Sequence, residues 1–141
     1  MAALPRYLRS GVRSTRETIE HLRRLGVPLP QASRAVADCQ RRGLLDDRAC
    51  AQLWAEHWAR RGYAWAAIRL KLSEKGLDAR AIEHAASRLG MASTDESRAR
   101  LALSQRIRSG DGPQQRPRLA RMLASRGFDQ DLIERVLGES D

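Results

Sequence analysis

The sequence predicts an all-α fold of tandem three-helix, helix-turn-helix-like repeats, strung into an elongated, slightly curved array with no β-sheet. Three observations predict it. Apolar residues recur at spacings of three and four, as in Ile19, Leu22, Leu25 and in Trp65, Ile68, Leu72, and strict alternation is hard to find. Periodic stretches end at Gly26, Gly43, Gly76 and Gly127, residue types suited to the left-handed position that closes a helix. Superposing Gly26, Gly76 and Gly127 aligns other positions at a period of about fifty residues. Leu22, Leu72 or Leu123 stands four before each glycine; Val27, Leu77 or Phe128 follows directly; Ala32, Ile82 or Ile133 stands six after and Val36, Ala86 or Leu137 ten after.

The elements follow in order. Ser14 with Glu17 reads as a capping box that opens a helix at about 14–25, and the next runs over about 31–42 to its stop at Gly43. Asp46 is an N-cap for a third helix at about 46–61, and Tyr63 and Trp65 lock the corner where a fourth, about 64–75, begins. Asp78 caps a fifth at about 79–89, and Ser93 with Glu96 opens a sixth at about 94–109. Residues 109–117, rich in Gly and Pro, form a flexible connection before helices at about 116–126 and 130–137, the last capped by Asp129. Repeat one is thus 1–62 with a short N-terminal extension, repeat two 63–109, and repeat three 110–141 with two helices. Keeping the fifty-residue offset lays Ala51 and Leu53 of one third helix on Leu101 and Leu103 of the next. Lys75-Gly76-Leu77-Asp78 and Arg126-Gly127-Phe128-Asp129 repeat a cation, a stop, an apolar residue and a cap in register, which favours duplication over chance. Three short helices cannot bury their apolar faces alone, so neighbouring units share a core.

Composition narrows the function. At 141 residues the chain is no large multidomain enzyme, and one Phe, two Tyr and three Trp argue against an aromatic-rich β-sandwich. The formal charge is +9, and 24 of 26 basic residues are Arg, so the surface stays positive at any working pH and an anionic partner is expected. No apolar run approaches the roughly 18–20 residues of a membrane span, and Pro5, Arg6 and Arg9 interrupt any leader-like stretch, which points to a cytoplasmic protein without membrane contact. Cys39 and Cys50 fit neither a disulfide framework nor a zinc module and read as small core residues.

Catalytic signposts are missing. The sequence holds no H-E-x-x-H, G-x-S-x-G, P-loop or dinucleotide-binding pattern, so neither an enzyme, a cofactor nor a small-molecule substrate is expected. His21, His57 and His84 each follow a Glu, but adjacent helical residues point about 100° apart and cannot work as pairs. Asp46 and Asp47 lack supporting ligands at a metal spacing and read as helix-capping carboxylates. Cys50, Trp54 and Trp58, with Leu53 beside them, form a stripe read as core packing, with stacking on bases or partner side chains as the competing reading.

Helix pairs with net positive charge invite a DNA reader, but the second helices open with Asp78 and with Asp129 and Asp131, where carboxylates would meet phosphates. Basic charge lies elsewhere: residues 1–43 carry nine Arg against three acids, 97–126 eight Arg against one Asp, and 127–141 one Arg against five acids. Arg16, Arg23 and Arg24, then Arg69, Lys71 and Lys75, then Arg118, Arg121 and Arg126 occupy successive first helices; Arg98, Arg100, Arg106 and Arg108 crowd a third. Such recurrence suggests one continuous basic strip, against the plainer reading of separate solvated faces.

Gly43-Leu44-Leu45-Asp46-Asp47, then Ala51, Arg61-Gly62-Tyr63, Ile68, Leu72, Lys75-Gly76 and Ile82 resemble the RecX family of recombinase regulators. Ser14-x-x-Glu17, Leu123, Arg126-Gly127-Phe128 and Ile133 extend the likeness to about residues 13–138. The chain departs from the family pattern in three places: Ala49-Cys50-Ala51 stands where Arg-Phe-Ala is usual, Ala64-Trp65 where Gly follows Gly-Tyr, and Thr18 where Leu is usual. Trp54 or Trp58 is the expected substitute for the missing Phe. The resemblance implies a non-enzymatic modulator lying in the groove of the RecA filament on DNA, limiting filament growth, ATP hydrolysis, strand exchange and the damage response. Arg69, Lys71, Lys75, Arg121 and Arg126, with Arg98, Arg106, Arg23 and Arg24, are the expected contacts to filament or DNA, the DNA contact being weak, non-specific or made through the filament. A DNA-binding transcription regulator acting without a recombinase and a passive helical adaptor are the alternatives.

Overall fold

The computed structural model describes residues 4, 7, 8, 11–108 and 115–138. Eight long helices are described: α1 Thr15–Arg24, α2 Leu29–Arg41, α3 Asp47–Arg60, α4 Trp65–Glu74, α5 Ala79–Ala92, α6 Asp95–Arg108, α7 Arg116–Ser125 and α8 Gln130–Gly138. Leu4, Tyr7 and Leu8 are also helical, and no strand occurs among the described residues. The expected helices are thus all present, while 109–114 of the expected connection lies outside the described residues.

Capping chemistry explains most boundaries. The Ser14–Glu17 box forms as expected, and Asp46, Asp78 and Asp129 accept from the backbone N–H groups of Arg48 and Ala49, of Ala81, and of Leu132. The Ser93–Glu96 box does not form. Thr94 Oγ1 instead accepts from the Ser97 N–H at 3.1 Å and Ser97 Oγ from the Thr94 N–H at 2.9 Å, so the reciprocal pair sits one residue later. The second helix begins at Leu29, two residues early, because Pro28 and Pro30 suit the N-cap and first turn, where no intrahelical donor is missed. The fifth runs through Gly90 to Ala92, three residues late.

Three cores lie in series. The first gathers Leu4, Leu22, Ala32, Val36, Cys39 and Leu45 with Tyr7 and Leu8; the second is built on α3, α4 and α5; the third joins Ala64 to apolar residues of α6, α7 and α8. The boundaries expected at 62/63 and 109/110 place α3 and α6 at the close of a repeat, whereas the cores group each with the two helices that follow it. The most extensive helix contact, α3 on α5, lies within such a group. The offset between α3 and α6 also needs correction. Asp47 and Asp95 both stand at the first helical position, and a 48-residue shift lays buried Cys50, Ala51 and Ala55 on buried Arg98, Ala99 and Leu103. The fifty-residue shift would lay Leu53, 49 % exposed, on buried Leu103.

Candidate partner-binding face

Two joints link the three cores, and they are built alike. At the first, Asp47 of α3 accepts from the Thr15 N–H and Oγ1, each at 2.9 Å, capping α1 from outside. Ser14 Oγ donates to the Lys75 carbonyl at 2.7 Å, and Lys75 Nζ pairs with Glu17 at 3.0 Å. At the second, Asp95 of α6 accepts from the Trp65 N–H at 2.9 Å, and the Ala64 N–H donates to the Arg126 carbonyl at 3.0 Å. Gly76 and Gly127 follow those two cations with φ of 87° and 92°, each pressed on the first turn of the preceding unit's first helix. A Cβ on Gly76 would lie 2.7 Å from Arg16 Cβ, and one on Gly127 2.8 Å from Ala67 Cβ. The duplication read from Lys75-Gly76 and Arg126-Gly127 is therefore a duplicated joint.

A strip of rings and cations runs across these joints. Trp54 and Trp58, one turn apart on α3, meet Lys75 and Lys71, one turn apart on α4: Lys75 Nζ lies 4.3 Å from the Trp54 ring centre and Lys71 Nζ 4.2 Å from that of Trp58. His57 touches both indoles edge-on, and Tyr63 meets Trp58 edge-on at 5.1 Å. Lys71 and the Arg126 guanidinium each lie 5.1 Å from the Tyr63 ring, and Arg61 lies 5.8 Å from Trp58. Each contact stabilises its cation by about 0.5–1 kcal/mol at such half-exposed positions. Of the stripe read as core, Cys50 is buried in the second core as expected, Trp54 and Trp58 are half-buried with cations on their outer side, and Leu53 is exposed.

The expected contact residues do not form one strip. Arg98 is a correction: 5 % exposed, it donates from Nε to the Tyr63 carbonyl at 2.9 Å, from Nη1 to Ser93 Oγ at 2.6 Å, and from Nη2 to Asp95. It holds the second joint and meets no solvent-side partner. Lys75, committed to Glu17, does the same at the first joint, and Arg126 adds a bond from Nη1 to the Arg61 carbonyl. On α4, Arg69 stands about 200° from Lys71 around the helix axis. It lines a separate groove of about 450 Å3 with Trp65, Leu70, Leu77 and Ile82. Arg23, Arg24 and Arg121 are exposed, and Arg106 is half-buried with a neighbour of its own. Arg61 is not among the expected contacts, and partner stacking by Trp54 and Trp58 is the competing reading of their stripe, second to core packing. The signal for them lay in the four-residue spacings Trp54–Trp58 and Lys71–Lys75, which put matched rows on adjacent helices.

Two titratable side chains of α3 are shifted by their surroundings. Burial pushes the Cys50 thiol up to about 12, so it stays neutral. Partial burial, with Arg61 and Arg60 nearby, holds His57 below the usual histidine value. None of the histidines pairs with its neighbouring Glu: His21 stacks on Tyr7, and His84 Nδ1 faces Arg48 Nη2 at 2.8 Å. Among the described residues no group of three or more His, Cys, Asp or Glu could hold a metal ion, and no helix is long and apolar enough to cross a membrane.

Fold and surface together define an all-helical tandem-repeat protein whose units are locked by paired polar joints beside a cation-rich aromatic strip. The family model for the third three-helix domain of RecX matches residues 94–137, and that for the second matches 46–85. The regulatory protein RecX of Streptomyces coelicolor is 31 % identical over 140 residues, covering 96 % of this chain and 73 % of the relative, and that of Streptomyces lividans matches to the same extent. The chain belongs to the RecX family of regulatory proteins. The crystal structure of RecX from Lactobacillus salivarius shares the fold with a TM-score of 0.71 at 22 % identity, over 99 % of this chain and 93 % of that one. A second RecX crystal structure shares it at 0.72 and 19 %, over 98 % and 69 %.

Proposed function

We propose that this chain binds the RecA–DNA filament in the cytoplasm and modulates the recombinase, restraining filament extension, ATP hydrolysis, strand exchange and SOS induction, without a cofactor or small-molecule substrate of its own. The observation that carries the reading is its membership of a regulatory family along nearly its whole length. What the sequence resemblance implies about RecA then applies to a chain built from the same three-helix units. Cations on several units that make no ion pair among the described residues suit a long anionic partner, and Lys71, Arg61, Arg69, Arg121, Arg23 and Arg24 are the contacts we assign to it. The test is DNA-dependent ATP hydrolysis by RecA titrated with this protein. Turnover should fall as the protein approaches stoichiometry with the recombinase; unchanged turnover at excess removes the reading.

A helix-turn-helix transcription regulator is the second reading, and Asp78 and Asp129 weigh against it. Both carboxylates cap second helices from the end that would enter the major groove, Asp131 stands beside the latter, and each would face phosphate. Tight, sequence-selective binding to naked duplex would restore it.

A further inference from the structure

We infer that the strip of Trp54, His57, Trp58 and Tyr63 with Arg61, Lys71 and Arg126 is a landing surface for single-stranded nucleic acid that works in the absence of any recombinase. The inference deepens the reading above by naming a strand-facing surface, and its test contains no RecA, so either can fail alone.

The rings make one unbroken series, with centre-to-centre distances of 5.2, 4.9 and 5.1 Å from Trp54 through His57 and Trp58 to Tyr63. Cations punctuate that series. Lys71, Arg61 and Arg126 have no carboxylate within ion-pair distance among the described residues, in contrast to Lys75, whose charge is spent on Glu17. Arg60 is exposed beside Arg61. Stacking against rings fixes these long side chains in place, which lowers the entropy lost when they meet a phosphate.

The alternation of ring and cation selects the ligand. An acidic protein surface would satisfy the cations but leave the half-exposed ring surface between them without an apolar or π partner. A duplex hides its base faces. A single strand alternates phosphate with an exposed π-surface at every nucleotide, and base–aromatic contact plus backbone neutralisation is how such strands are held without sequence preference.

The experiment uses the full chain carrying Trp65→Phe, so that Trp54 and Trp58 alone report, and an oligodeoxythymidylate of about twenty nucleotides as the probe. Saturable quenching of tryptophan fluorescence is expected. The affinity should fall with a log–log salt slope near −2, the value for about three neutralised phosphates on a single strand. Lys71→Gln and Arg61→Gln should each weaken binding by about five-fold while the helical circular dichroism is retained, whereas Arg88→Gln, at an exposed position of α5, should not. Absent quenching, quenching insensitive to both variants, or equal competition by duplex would overturn the proposal. So would equal competition by polyglutamate, which would assign the strip to an acidic protein.

Discussion

Arg98 is the residue whose environment departs furthest from its type. An arginine is seldom buried unless every donor has a destination, and this one reaches a carbonyl from the end of one unit, a hydroxyl and a carboxylate. Truncation to Ala would leave those acceptors facing a void, with an expected loss of about 2–4 kcal/mol in urea unfolding. Arg98→Lys should recover less than half of that, because an ammonium cannot span three divergent acceptors. A loss below about 0.5 kcal/mol would mean that the second joint does not depend on Arg98. His57 allows a prediction with a sign. Its folded pKa is lowered by burial first and by Arg61 and Arg60 next, so below about pH 6.5 the unfolded chain takes up a proton that the folded chain resists. Its stability contribution is therefore whole above that pH and lost as the pH falls from there toward the folded value. His57→Gln should flatten this part of the stability profile in paired urea titrations between pH 7 and pH 5, and an unchanged slope would refute the assignment.

At the scale of elements, the glycine that closes α7 is a packing surface as much as a turn. Gly127 has φ of 92°, and an added Cβ would fall 2.8 Å from Ala67 Cβ and 3.1 Å from its backbone nitrogen, where nothing flexible can yield. Gly127→Ala should destabilise by about 2–3 kcal/mol, read as a lowered urea midpoint. Gly26→Ala, with similar φ but no neighbour within 4 Å, should show only the smaller conformational penalty of about 1 kcal/mol. Equal effects would separate the glycine requirement from the joint. The contrast also shows what the sequence disclosed. Helix number, stops and the caps at Ser14, Asp46, Asp78 and Asp129 were legible because each depends on local backbone chemistry, while the cap of α6 sits one residue later than expected; the repeat was legible because equivalent glycines meet equivalent constraints. The 48-residue relation of α3 to α6 was obscured, since Cys50 and Arg98 share a buried position with no chemical likeness. Arg98 itself read as surface charge because the acceptor that draws it inward, the Tyr63 carbonyl, lies 35 residues away along the chain. Thr18, standing where the family usually has Leu, is accommodated for a local reason: buried, it donates to the Ser14 carbonyl at 2.9 Å.

For the molecule as a whole, three cores in series imply that stability is a sum of unit and joint contributions and is not evenly shared. Among the described residues the first core gathers six buried hydrophobic residues, against ten and twelve in the second and third. Its tie to the second depends on polar bonds at Ser14, Thr15 and Glu17, with the Lys75–Glu17 pair only partly shielded at 15 % and 24 % side-chain exposure. A joint of that kind weakens with salt more than an apolar one. Native-state hydrogen exchange should therefore show amides of α1 and α2 opening at lower free energy than those of α7 and α8, with the gap widening as salt is raised from 0.1 to 1 M. Lys75→Gln should lower α1 and α2 protection by about 1–2 kcal/mol, because Glu17 loses its partner in a half-buried setting, and should leave α7 and α8 unchanged. Loss of protection spread evenly over all three units would show a single cooperative globule in place of an array.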